Sequence, residues 1–169
     1  MRAPLPGALG GVDLVAWRLD AAQFAATWDI GEGAYRFGGR WNSAGVRAVY
    51  CALDASTTIL EVAVHRGFKR MDTVPHVLTA LRILDPRDVH VVEAASLPNA
   101  NWLRPGLPSA GQQAFGDALL REHKFVVVPS VVSPNSWNLV FVGAMASSRY
   151  AVLSQESFAL DTRLHPPQQ

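Results

Sequence analysis

The sequence predicts a mixed α+β domain with a mostly antiparallel β core and flanking helices. Short apolar runs rich in β-branched and aromatic residues recur along the chain, separated by Pro, Gly, Asp and Ser. Two longer segments, 54–67 and 109–123, carry capping residues and helical spacing instead. The 169 residues are 49% hydrophobic and 17% charged, the balance of one globular domain with a real core.

In chain order, residues 1–11 are rich in Pro and Gly and read as a flexible lead-in to a single domain at 12–162. Asp13–Leu19 is strand-like, with Arg18 between Trp17 and Leu19, and Asp20 is placed to cap a short helix reaching Thr27. Asp29–Ser43 reads as a long irregular stretch holding Gly31, Gly33, Gly38 and Gly39; loops of that length in a compact domain are often functional. Val46–Leu53 is a strand. Asp54 or Ser56 then caps a helix that runs through TTILEVAVHR and stops at Gly67. Its polar positions Thr57, Thr58, Glu61 and His65 recur three and four apart and make one stripe, while Ile59, Leu60, Val62, Ala63 and Val64 cover the rest. This is the pattern of a largely buried helix with a narrow polar seam, which faces either water or a cleft.

His76–Leu84 and Val89–Val92 are strands divided by Asp85-Pro86. Residues 93–108, with three prolines, read as loop with a short helix. Ser109 caps a helix over 111–123 whose apolar face is Phe115, Leu119 and Leu120. Phe125–Val128 is a continuous apolar run and so a buried strand, ending at Pro129-Ser130. Trp137–Val142 and Tyr150–Leu153 are the last strands, and 163–169 reads as a frayed tail.

A net charge of +1 provides no electrostatic footprint for nucleic acid or an anionic membrane, so any anion site is local. No stretch approaches the ~20 apolar residues that span a bilayer, and no secretion signal is visible. The lone cysteine, Cys51, excludes an internal disulfide, fits a reducing compartment and reads as packing. Phosphate-loop, dinucleotide, nucleophile-elbow and zinc-binding patterns are absent, so no metal is expected.

The most informative stretch is Gly38-Gly39-Arg40-Trp41-Asn42. Glycines let other groups approach the backbone closely, and arginine offers a planar fork of donors suited to phosphate. The loop therefore reads as a candidate anion cradle, with Trp41 packing it down. Tyr50 and Glu61 follow it.

WRL at 17–19, RFGGRWN at 36–42, AVYCA at 48–52, LEVAVH at 60–65 and VPSVV at 128–132 resemble the RES domain family, named for its arginine, glutamate and serine. The resemblance spans most of the chain. It implies an ADP-ribosyltransferase-like fold and the role of a toxin in a bacterial toxin–antitoxin module, acting in the cytoplasm. It implies NAD⁺ as substrate, degraded with water or phosphate or used to pass ADP-ribose to a protein. The implied partner is an antitoxin with an Xre-type helix-turn-helix domain. Carried over, the site is Glu61, Arg40 and Tyr50 as catalytic residues, with Arg18, Arg40, Tyr50, Ser130 and, less centrally, Arg36 binding the dinucleotide. Where the family carries an asparagine-rich stretch after VPS, this chain has Asn135 and Asn138 about Trp137, and Val142-Gly143 where a further asparagine is expected.

Cleaving the nicotinamide–ribose bond creates an oxocarbenium-like sugar, so a single carboxylate facing that charge suffices. Glu61 is the candidate. Arg40 and Arg18 are expected on the phosphates, Tyr50 against the nicotinamide ring, and Ser130 on the ribose or on Glu61. A non-catalytic nucleotide- or protein-binding module would use the same loop without the carboxylate. An RNA-cleaving enzyme would want a basic surface that this composition lacks.

Overall fold

The computed structural model describes residues 13–164; the expectations for 1–11 and for 165–169 lie outside them. Among the described residues seven strands form one sheet: β1 (Val15–Ala21), β2 (Ala48–Ala52), β3 (His76–Ile83), β4 (Val89–Val91), β5 (Phe125–Pro129), β6 (Trp137–Val142) and β7 (Tyr150–Phe158), in the order β4-β5-β6-β2-β1-β3-β7. Every neighbouring pair is antiparallel except β4 and β5. A parallel pair needs a long crossover, and here it contains α4 (Ala110–Glu122).

Alternation along the central strands sends side chains to two cores. Val49, Cys51, Val127, Leu139 and Phe141 pack on one face with Leu14, Ala16 and Trp28. Ala48, Val126, Val128 and Val140 pack on the other with Trp41 and Leu120. All five residues of β5 are buried, which is why its sequence is an unbroken apolar run. A third cluster joins Leu19, Met71 and Leu160 beneath α2 (Ala55–Arg66) and α3 (Phe68–Thr73).

The mixed, mostly antiparallel architecture matches the expectation, and several local expectations change. Asp20 caps nothing: it lies within β1, and the following 3-10 segment, Ala22–Thr27, has no side-chain cap. The stretch 29–43 holds a short helix, α1 (Glu32–Phe37), begun and ended by Gly31 and Gly38 at φ 70° and 71°. Helix α3 has no counterpart in the sequence reading, and β7 runs five residues past Leu153 as an edge strand with Leu153 unpaired at a bulge. Asp54, not Ser56, caps α2, its carboxylate accepting from Thr57 N at 2.7 Å.

The polar seam of α2 turns inward at Thr57, Thr58 and Glu61 and reaches solvent at His65. Thr57 and Thr58 are its buried residues, and the Thr58 hydroxyl donates to the Trp17 carbonyl at 2.9 Å. Leu60 and Val64 are exposed, contrary to the expectation of an apolar burial face. Ser109 caps α4 as expected, accepting from Gln112 N at 3.2 Å. At Gly116 an added Cβ would lie 2.0 Å from the Trp41 carbonyl oxygen, so α4 and the loop after α1 touch backbone to helix.

Candidate active site

Glu61 leaves α2 on its inward seam, with its side chain 20% exposed. Its Oε1 accepts from Ser130 Oγ at 2.9 Å and from Asn138 Nδ2 at 2.8 Å. Ser130 is buried just beyond β5 and is itself fixed, because its Oγ accepts from Ser133 N at 3.0 Å. Asn138 lies in β6 opposite Ala52 and Val128. Two adjacent strands, β5 and β6, and one helix thus define the carboxylate's position. Among the described residues Oε2 has His65 Nε2 beside it, one helical turn on, at 3.9 Å on a mostly exposed side chain.

The Gly38–Asn42 loop is tightly built. Tyr50 Oη accepts from Trp41 N at 3.0 Å and donates to Asn42 Oδ1 at 2.7 Å. Asn42 is fully buried, and its amide donates to the carbonyls of Ala34, Ser43 and Val46. The N–H groups of Gly38 and Gly39 bond the carbonyls of Ala34 and Asn42. With the Trp41 N–H also occupied, three of the five N–H groups of this loop are spent within the protein, both glycine N–H groups among them. Gly39 serves close approach instead: a Cβ there would lie 2.6 Å from Tyr50 Oη. Burial pushes the Tyr50 phenol well above its ordinary pKa, so it stays a neutral donor to Asn42.

Arg40 is half-buried. Its Nη1 donates to the carbonyls of Trp102 and Arg104 at 3.1 and 3.4 Å, and Nη2 to Gly106 at 2.7 Å. Burial lowers its pKa, while the negative charge of Glu61 acts in the other direction. Arg40 and Glu61 thus lie within each other's field. No described residue accepts from Arg40 Nε, while Nη1 and Nη2 clasp the 102–106 loop.

The other arginines differ from expectation. Arg18 closes on Asp20, with Nε and Nη2 bonded to the carboxylate at 2.9 and 2.8 Å, and gives Nη1 to the Tyr50 carbonyl at 2.9 Å. Residues two apart on a strand share a face, which makes this pair; Arg18 shares the face of Leu14 and Ala16, whereas Leu19 packs under α2. Arg36 is exposed on α1 and pairs with Glu32 at 2.7 Å. The structure therefore unites Glu61 and Ser130, sets Arg40 in their field, gives Tyr50 to the loop, and ties Arg18 and Arg36 to other partners. Asn138 is the member without a role in the sequence reading; the asparagine pattern about Trp137 is the signal that marks it. Two cavities, of about 360 Å³ beside Met71 and Leu160 and about 310 Å³ beside Ile30 and Gly143, are lined by none of these residues.

Chemically, this is a carboxylate with one oxygen held by two neutral donors and the other without a hydrogen-bond donor among the described residues, near a guanidinium whose Nε has no acceptor among them. It suits stabilisation of a cation next to a phosphate.

A model of the RES domain matches residues 15–161. The chain is 30% identical over 155 residues to Toxin Res of Pseudomonas putida, covering 89% of this chain and 99% of that protein. It is 29% identical over 156 residues to Toxin Res of Photorhabdus laumondii, covering 89% and 97%. It also resembles a chain in the crystal structure of the M. tuberculosis MbcT–MbcA toxin–antitoxin complex, with a TM-score of 0.64, 21% identity and 87% and 85% of the two chains covered.

Proposed function

This chain belongs to the RES domain family, and on that footing we propose that it is the toxin of a bacterial toxin–antitoxin pair that cleaves the nicotinamide–ribose bond of NAD⁺ and passes ADP-ribose to water, phosphate or a protein. The observation that carries this reading is the Glu61 carboxylate, pinned through Oε1 by Ser130 and Asn138 while Oε2 has no hydrogen-bond donor among the described residues.

In the reaction the bond between ribose C1′ and the nicotinamide nitrogen breaks, and its electron pair leaves with neutral nicotinamide. Positive charge builds on C1′ and the ring oxygen, and Glu61 Oε2 faces it. An oxygen of the acceptor then bonds to C1′; where that oxygen carries a proton, the proton leaves to solvent. Little acid catalysis is needed, so the Tyr50 phenol is not called on for its proton, which it gives to Asn42; it holds the loop that carries Arg40. The Nε of Arg40 takes a phosphate oxygen, while Nη1 and Nη2 keep the 102–106 loop in place.

The partner that restrains such a toxin is a cognate antitoxin, here taken to be of the Xre type with a helix-turn-helix domain. A toxin–antitoxin pair works in the cytoplasm, and no helix of the described residues is long and apolar enough to cross a membrane.

Purified protein incubated with NAD⁺ is expected to release nicotinamide, and Glu61→Gln to lose at least about a hundredfold of that rate while keeping its melting temperature. A Glu61→Gln protein as active as wild type overturns the assignment. Labelled NAD⁺ in a lysate separates the acceptors: a labelled protein band means transfer to protein, and free ADP-ribose or its phosphate means degradation. A binding module is the second reading, favoured by the engagement of Arg40 with three loop carbonyls. NAD⁺ binding in a calorimeter without nicotinamide release selects it.

A further inference from the structure

The two oxygens of Glu61 have unlike surroundings. Oε1 takes hydrogen bonds from Ser130 and Asn138, whereas among the described residues Oε2 has only the His65 ring at 3.9 Å. An ionised carboxylate can only accept, so the Asn138 NH₂ must face Glu61 and its Oδ1 must point away. Oδ1 is then a buried acceptor with no partner among the described residues. Such an orphan is destabilising, and an apolar side chain of similar size would avoid it. The position also invites an apolar residue: Leu139, Val140 and Phe141 follow it in β6, and its cross-strand partners are Ala52 and Val128. What the amide contributes in return is one hydrogen bond to Glu61.

We propose that Asn138 is a positioning residue, which together with Ser130 clamps Oε1 and thereby aims Oε2 as the single working oxygen of Glu61. Ser130 acts in the same way, since its Oγ accepts from Ser133 N and donates to Glu61, which leaves its only proton on the carboxylate. With both donors in place the carboxylate plane is fixed by two bonds; with Ser130 alone it swivels about one. The inference rests on the NAD⁺ reading above and adds that the geometry of Glu61, not its presence alone, sets the rate.

The test compares wild type, Asn138→Leu, Asn138→Asp and Glu61→Gln for nicotinamide release against NAD⁺ concentration, with thermal melting alongside. Asn138→Leu is expected to lower kcat by about ten- to a hundredfold with KM within about twofold, because a small misplacement of a reacting group is costly in rate. Its melting temperature should be unchanged or higher, since the orphaned Oδ1 is gone. Asn138→Asp keeps the shape and replaces the donor by a second carboxylate; it should lose at least as much kcat, and it carries the test if the leucine variant does not fold. Both variants turning over within about twofold of wild type, or losing activity only in proportion to unfolded protein, overturns the proposal. Wild-type protein that binds NAD⁺ and releases no nicotinamide overturns the NAD⁺ reading instead, and the inference with it.

Discussion

Tyr50 shows how a single hydroxyl can organise a loop. It accepts from Trp41 N and donates to Asn42 Oδ1, so Tyr50→Phe leaves two interior groups unpaired. We expect a loss of about 1–3 kcal/mol in urea unfolding. Gly39→Ala should cost a comparable amount, because its Cβ would press on Tyr50 Oη and Asn42 Oδ1. The two changes should not add: with phenylalanine at 50 the nearest obstacle is gone, and the alanine is better tolerated. A double-mutant cycle with additive terms would contradict this contact. Glu61 and Ser130 were legible from sequence as a pair of residue types, and their contact follows from the helix seam and the strand end that carry them. The fate of Arg18 was readable too, since Asp20 is two residues along the same strand face. The capture of Arg40 was not, because its carbonyl partners lie more than sixty residues away in a loop without regular pattern.

Among the elements, α2 carries the carboxylate, and its start is fixed by Asp54. Asp54→Ala should lower stability by about 1 kcal/mol through the lost cap, read as a fall in melting temperature. Gly116 makes a sharper case. Helix propensity alone makes Gly116→Ala stabilising by about 1 kcal/mol. The Trp41 carbonyl 2.0 Å from the would-be Cβ reverses the sign, because neither backbone can yield without moving α4 off the loop. A net loss of roughly 1–3 kcal/mol or more is expected, and a stabilised variant would refute the contact. Strand positions were legible because burial on both faces writes continuous apolar runs, as in β5. Helix α2 misled because spacing reports which residues share a face, not which face is covered: Leu60 and Val64 are exposed while two threonines lie inside. Helix α1 escaped notice because its six residues are bounded by glycines and carry no apolar stripe.

For the molecule as a whole, three weak acids favour their neutral forms. Burial is the leading cause for each: it pushes the Cys51 thiol up to about 12 and raises the Tyr50 and Tyr150 phenols, the last aided by the Asp29 carboxylate. In the unfolded chain these groups ionise near 9.0 and 10.0. The unfolded state therefore loses protons first. Stability is fully present below pH 9 and falls as pH rises toward 12, by up to ~1.4 kcal/mol per pH unit for each group that ionises on unfolding. Urea midpoints should drop across that range, and Cys51→Ala should flatten the part beginning near 9.0. A thiol reagent at pH 8 should leave native Cys51 unlabelled and react once the chain is denatured. The sheet order, with β6 inserted between β5 and β2, was not legible, because alternation fixes the faces of a strand and not its neighbours.

That insertion has a consequence for synthesis. Glu61 leaves the ribosome early, but the two side chains that lock it come from residues 130 and 138, the latter on a strand that must slot in beside β2. A chain that ends before Asn138 lacks one of the two donors that hold Glu61 Oε1, and the carboxylate is not yet locked.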